Sequence, residues 1–388
     1  MLRSAEIVAT VRQAAADAGF DLVGISRVDD APELEYFPRW IADGHAGEMK
    51  YLEARDEQGR LKRSSLAHAA PWARSVVVCA INYNSALPYS TEPSEQGCGW
   101  ISRYAWGQQD YHESVMLRLQ QVEAAVRKIC GAEEDDDEGK DKEDLITRCY
   151  VDTGPIVERV VAKYAGIGWI GKNTCIINQK LGSWLFLGVI LTSLDLTGND
   201  LRSNDLGTND LLSKSAGFGV PAPDRCGSCT RCLEACPTDA LIAPYQLDSN
   251  RCISYLTIEK RGAIAEELRE GMGRHIFGCD ICQDVCPWNR KAPATKAGEF
   301  QPRSELVNPA LEWLATLSVE EFRRAFRGSP VRRAKRSGLR RNAVIAMGNS
   351  GELKFLPLLE TLLADEDGVV GESAAWAIEK LGAIKRAP

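Results

Sequence analysis

The chain has 388 residues, 44% of them hydrophobic, and a formal net charge of −7. That length suits two or three domains of roughly 100–200 residues each, and the acidic balance argues against unselective coating of nucleic acid. No run of about 20 apolar residues is present, which argues against a transmembrane helix.

The opening "MLRSAEIVATVRQAAADAGF" imitates a signal segment, but Glu6, Arg12 and Asp17 interrupt it and its apolar residues recur at helical spacing. An amphipathic first helix and a cytoplasmic, reducing location are expected. "SVVVCAINY", from Ser75, is a β-branched run that predicts a buried strand. "HESVMLRLQQVEAAVRKICG" has helical periodicity and stops at Gly131. The acidic stretch 133–144 has no apolar face and reads as a solvated insertion. "ITRCYVDTGPIVERVVAKYAGIGWIGKNTCIIN" predicts a strand, a turn at Thr153-Gly154-Pro155, a helix over about 156–164 and a glycine-rich turn. "SWLFLGVILTSL" predicts a second buried strand, and 198–217 a second insertion or linker. Mixed helices and strands over the first two hundred residues predict one α/β or α+β domain, 1–220. A cysteine-rich module follows at 221–292. The remainder, 293–388, reads as helical, with "RRNAVIAMGNSG" and "GESAAWAIEKLG" as imperfect copies near a thirty-residue period. That suggests a HEAT-like helical pair, with an ordinary small bundle as the alternative.

Thirteen cysteines, mostly clustered in a chain without a signal segment, point to metal or cluster ligation rather than disulfides. Cys226, Cys229, Cys232 and Cys236 follow the spacing C-x2-C-x2-C-x3-C with Pro237 next. Cys279, Cys282 and Cys286 precede Pro287, and Cys252 lies between the groups. Eight thiolates can hold two 4Fe–4S clusters. In such runs the fourth cysteine ligates the other cluster. The expected sets are therefore Cys226, Cys229, Cys232 and Cys286, and Cys236, Cys252, Cys279 and Cys282. Zinc is the rival, since C-x2-C pairs also bind it. Two Cys-Pro endings and the absence of histidine ligands favour iron–sulfur. Paired clusters either staple a fold or conduct electrons.

No G-x-G-x-x-G follows a strand, and "AGIGWIGKN" is not a phosphate-binding loop. Its glycines could still bring backbone close to a bulky cofactor, with Lys172 and Asn173 among the contacts. A tight turn would need the same glycines. In "YVDTGPIVERVVA", Asp152 ends a predicted strand, with Arg159 two helical turns on. Such an Asp can be a general acid if desolvation raises its pKa. Asp-Thr-Gly-Pro is equally good helix-capping chemistry, and the residues alone leave both readings open.

"VDTGPIVER", "AGIGWIGKNTCII", "CGSCTRCLEACPTDALIAPYQLDSNRCISYLTIEKRG" and "GCDICQDVCPWNRK", in that order, resemble the epoxyqueuosine reductase family, and "RRNAVIAMGN" and "AAWAIEKLG" extend the likeness towards the C-terminus. The resemblance implies a nitroreductase-like α/β domain holding cobalamin, a ferredoxin-like module with two 4Fe–4S clusters, and reduction of epoxyqueuosine to queuosine at the wobble position of tRNA. It implies Asp152 as the proton donor. Arg63, Arg159, Ile176, Leu187, Ser254 and Asp280 are expected near the corrin. Ser102 stands where some members place a cysteine close to cobalt, so no Cys–cobalt contact is available here. A related corrinoid reductase with a small-molecule substrate is the alternative, and a non-catalytic electron carrier or RNA-binding module a third. An electron donor such as a flavodoxin or ferredoxin is implied, and a monomer is expected.

Residues 323–341 carry an uncompensated basic excess that predicts phosphate contact. Arg332, Arg333, Lys335, Arg336, Arg340 and Arg341 are the candidates there, with Lys260 earlier in the chain, and the alternative is a solvated helix face. His45, His68, His112 and His275 are scattered; a structural role is expected for His112 in "DYHES", with a place near the cofactor as the alternative. Cys79, Cys130, Cys149 and Cys175 are expected to be small buried apolar residues, and Cys98 an exposed one.

Overall fold

The computed structural model describes residues 4–131, 145–197 and 221–386. Both expected insertions, 133–144 and 198–217, lie outside the described residues. In chain order the first part runs α1 (Ser4–Asp17), β1 (Leu22–Arg27), α2 (Pro32–Ala42), α3 (Leu66–Ala69), β2 (Ser75–Asn82), β3 (Trp100–Ile101), α4 (Tyr111–Ile129), β4 (Thr147–Tyr150), α5 (Glu158–Tyr164), β5 (Trp169–Ile170), β6 (Ile176–Ile177) and β7 (Leu185–Thr192).

The main sheet has the order β1-β2-β7-β4, and every pairing in it is antiparallel. The architecture is therefore α+β. All eight residues of β2 are buried, as a central strand covered on both faces requires. One face packs on α1 and α4, joining Val8, Val11, Leu119 and Val122 to Val77, Cys79 and Ile190. The other packs on α5, joining Val161, Ala162 and Ala165 to Val76, Val78 and Val189. Gly24 is required by that packing, because a Cβ there would lie 2.0 Å from the Ala165 carbonyl oxygen.

The cysteine module contains α6 (Arg231–Glu234), α7 (Ile253–Ile258), α8 (Glu266–Arg269), β8 (His275–Phe277) and α9 (Ile281–Asp284). The remainder is α10 (Leu311–Thr316), α11 (Val319–Ala325), α12 (Lys335–Ser350), α13 (Leu356–Leu362) and α14 (Gly368–Arg386). The two imperfect copies fall in α12 and α14, which pack against each other.

These parts are not separate in space. β3, from the first hundred residues, pairs in parallel with β8. Trp100, Ile101 and Trp106 are buried in one core with Phe277, Phe326, Leu339 and Met347. Buried Asn342 on α12 donates to the carbonyls of Thr257 and Ile276, at 2.9 and 2.8 Å. Among the described residues no helix is long and apolar enough to cross a membrane.

Candidate active site and cluster-binding module

Asp152 follows β4 in a tight turn and has φ +56°, the left-handed region that a non-glycine residue rarely adopts. Glu158 holds it there, its Oε1 accepting the Asp152 backbone N–H at 2.7 Å. Arg63 braces the same turn, donating to the Gly154 carbonyl at 2.7 Å and to the Tyr51 carbonyl at 2.8 Å. The capping alternative does not describe this geometry, because α5 begins after Val157 with no side-chain cap.

The Asp152 carboxylate is 63% exposed. Tyr111 Oη donates to its Oδ2 at 3.0 Å, and His112 Nε2 lies 3.8 Å from the same oxygen. His112 Nδ1 is 2.7 Å from Asp110 Oδ1, and its ring stacks on Tyr111 at 4.0 Å. Tyr111 in turn stacks on Phe186 of β7. His112 is therefore part of the Asp152 neighbourhood, beyond the structural role expected for it. Sequence could not show this, because forty residues separate the pair.

Desolvation acts to raise the Asp152 pKa, but hydrogen bonds from His112 and Tyr111 and the nearby His112 and Arg159 charges outweigh it. Its carboxyl is held below the usual carboxylate range, opposite to the expected direction. Burial acts to lower the His112 value, yet its bonds to Asp110 and Asp152 carry it up to about 9. Burial and the Asp152 charge raise Glu158 to about 8. At neutral pH the protons of this cluster sit on His112 and Glu158 beside an ionised Asp152.

The other expected cofactor contacts separate into groups. Arg159 donates to the Thr174 carbonyl at 3.1 Å, which ties α5 to the turn between β5 and β6. Ile176 is buried in the core on the α5 face of the sheet, and the partly buried Leu187 of β7 packs against that core. Ser102 donates to Asp280, which also accepts from Trp100 Nε1 at 3.2 Å and the Arg103 N–H at 2.7 Å. Asp280 thus fixes the segment 100–103 beside Cys279. Lys172 reaches the cysteine module, donating to the Gly227 and Cys229 carbonyls at 2.7 and 3.1 Å. Asn173 donates to the Cys282 carbonyl at 3.1 Å. Ser254 lies in the first turn of α7, against the Cys252 thiol. Arg103, which the sequence did not single out, is buried and donates to the Ser85, Leu87 and Pro88 carbonyls while lying over Trp106 and Trp184.

The thiols form two sets. Cys226, Cys229, Cys232 and Cys286 line one cavity of about 270 Å³ with Trp288 at its wall. Cys252, Cys279 and Cys282 interact with one another, and Cys236 with Cys252 and Cys279. Among the described residues, no three His, Cys, Asp or Glu side chains converge on the position of a single ion. Four thiols spread around a cavity of this size suit a cluster better than a tetrahedral zinc, whose ligands lie about 2.3 Å from one point. Cys175 differs from its expected role: it is only partly buried, and its thiol lies beside that of Cys282. Cys79 is buried.

In the basic segment, Arg332 and Lys335 are exposed. Arg333 pairs with Glu259 and lies 5.4 Å from the centre of the Tyr51 ring. Lys260 pairs with Glu48, and Arg336 lies 3.5 Å from Glu366. Arg340 and Arg341 are corrections to the expected phosphate contacts, because they are 4% and 1% exposed. Arg340 pairs with Asp365, and Arg341 donates to the carbonyls of Leu256, Lys260 and Gly262. The Arg341 guanidinium joins the helical part to the cysteine module, that of Arg340 stays within the helical part, and neither is available to a ligand.

A sequence model described as "Epoxyqueuosine reductase QueG, DUF1730" matches residues 63–153, and one described as "4Fe-4S double cluster binding domain" matches residues 225–289. The chain is 36% identical to the epoxyqueuosine reductase of Pseudomonas aeruginosa over 387 residues, covering 97% of this chain and 95% of the relative. It is 33% identical to that of Escherichia coli, covering 96% and 89%. Among solved structures, a selenomethionine-labelled epoxyqueuosine reductase superposes with a TM-score of 0.80 at 30% identity, covering 98% of this chain and 91% of that one. A second, holding an epoxyqueuosine-modified tRNA-Tyr stem loop, gives 0.79 at 30% identity with the same coverage. With two thiol sets beside a braced, open carboxylate and relatives matched over nearly their whole length, the chain belongs to the epoxyqueuosine reductase family.

Proposed function

We propose that this chain reduces the epoxide of epoxyqueuosine in tRNA to the alkene of queuosine, using cobalamin and two 4Fe–4S clusters. The observation that carries the reading is the Asp152 carboxylate, fixed by Arg63 and Glu158 yet open, on the same body as two four-thiol sets. Cys226, Cys229, Cys232 and Cys286 would hold one cluster, and Cys236, Cys252, Cys279 and Cys282 the other. Bound cobalamin supplies a reduced cobalt centre that acts as a strong nucleophile or one-electron donor. Arg63, Arg159 and Ser102 are the nearby polar residues we assign to its pocket.

The reaction consumes two electrons and two protons and releases the epoxide oxygen as water. Opening the ring develops negative charge on that oxygen, which an adjacent acid must neutralise. We assign that role to Asp152 acting with His112: at neutral pH the proton rests on His112 and passes by way of the Asp152 carboxylate to the oxygen as the ring opens. The exposed cations Arg332 and Lys335, together with Arg333 at its Glu259 pair, are assigned to tRNA phosphates, on a C-terminal part read as a HEAT-like helical pair. A protein carrier such as a flavodoxin or ferredoxin would supply the electrons.

The test is Asp152→Asn in the reconstituted protein. It should keep iron and corrin content but lose conversion of epoxyqueuosine, followed by chromatography of nucleosides from digested tRNA. Unchanged conversion would remove Asp152 from the mechanism.

A further inference from the structure

The two thiol sets differ in their surroundings. Both sets meet the turn that carries Lys172 and Asn173, but only the set formed by Cys236, Cys252, Cys279 and Cys282 is also joined to the Ser102 segment, through Asp280 beside Cys279. Cys252 and Cys279 also pack against Ile253, Met272 and Ile345. The set formed by Cys226, Cys229, Cys232 and Cys286 instead lines a cavity that also takes in the exposed Arg225 and Arg231. Trp288 forms part of its wall and packs edge-on against Trp169, with ring centres 5.0 Å apart. Arg290 and Lys291 come two and three positions after Trp288 in the chain, beyond the buried Asn289, and are exposed.

Some exposed cations among the described residues, such as Arg39, Arg251 and Lys354, sit in ion pairs. The side chains of Arg225, Arg231, Arg290 and Lys291 have no such partner among the described residues. The acidic groups nearby are engaged with the chain itself: Asp224 accepts from Tyr245 and the Cys226 N–H, and Glu234 from Thr230. A cationic rim around a half-buried tryptophan is therefore maintained on a chain whose net charge is −7. An acidic partner is repelled by the molecule as a whole and is attracted at such a patch. An aromatic centre within a charged rim is also the usual anatomy of a transient interface.

We propose that this face is the docking surface for a small acidic one-electron carrier protein, placed so that electrons enter at the Cys226–Cys286 set. The proposal rests on the two-cluster reading above. Each encounter oxidises the carrier by one electron and reduces the cluster by one, with no bond made or broken. Two encounters supply the electrons of one turnover.

The experiment is stopped-flow absorbance of the anaerobic holoenzyme, mixed with reduced flavodoxin as the acidic carrier or with reduced methyl viologen as a small cationic donor. Flavodoxin-driven cluster reduction should slow as salt rises, and should fall by about tenfold or more in the Arg231→Glu/Lys291→Glu variant. Viologen-driven reduction should be unchanged or faster in that variant. An unchanged flavodoxin-driven rate in the variant overturns the proposal. If the charge reversal costs iron, Arg231→Gln/Lys291→Gln replaces it, and a wild-type rate indifferent to salt overturns the proposal by itself. Conversion of epoxyqueuosine tRNA with viologen as donor is scored separately. Its failure counts against the substrate reading and leaves the docking result intact.

Discussion

At the scale of single residues, the chemistry turns on how protons are shared among Asp152, His112 and Glu158. Asp152 is ionised because two donors and a cation favour its charged form over the cost of desolvation. The pKa of His112 is raised to about 9 because it lies between two carboxylates. The groups facing it are Asp110, Asp152 and Tyr111, with Glu158 and Arg159 behind Asp152. The sign of its linkage follows. The stability that His112 adds is fully present below the ordinary imidazole value near 6.5 and is lost as pH rises through about 9. His112→Asn should therefore lower Tm more at pH 6 than at pH 9.5. Wild type is expected to show an alkaline limb near 9 in its pH–rate profile, and the variant should lack it. A Tm difference that does not change with pH would count against this charge assignment.

At the scale of elements, the basic segment shows how one composition divides into two functions. Arg332 is exposed, whereas Arg341, nine positions on, is buried beneath three carbonyls. Arg332→Ala should leave Tm unchanged and reduce the salt slope of tRNA binding by about 1. Arg341→Leu leaves three buried acceptors unpaired and should cost roughly 1–3 kcal/mol in stability. A Tm unaffected by Arg341→Leu would remove it from the joint. The difference between the two was not legible in the sequence. A run of arginines looks alike whether it faces water or a neighbouring carbonyl, and the carbonyls here come from residues about eighty positions earlier. The buried strands were legible, since β2 is a β-branched run and β7 a nearly continuous apolar one, both long enough to span a sheet. The cysteine sets were legible too, because their spacing is itself the geometry. The Asp152 surroundings were legible only in part. The turn and Arg159 lie in one motif, but Tyr111, His112 and Arg63 come from other stretches.

At the scale of the whole molecule, the helical C-terminal part completes the core of the rest. Trp100, Ile101, Trp106 and Phe277 are buried against Phe326, Leu339 and Met347. Deleting residues 305–388 exposes that surface at once, and the shortened chain should aggregate rather than persist as a smaller cluster-binding protein. A soluble truncated chain with full iron content would refute this, and size-exclusion chromatography with iron analysis decides it. If tRNA binds the helical part as proposed, this shared core joins that surface to the rest of the molecule.

The parallel pairing of Trp100–Ile101 with His275–Phe277 has a consequence for biogenesis. A nascent chain still short of Cys286 lacks the fourth thiol of one set, and one short of Ile345 lacks part of the packing around Cys252 and Cys279. Iron delivery should therefore follow release from the ribosome. Pulse-labelled full-length apoprotein should accumulate before it acquires iron, and ribosome-bound fragments should carry none.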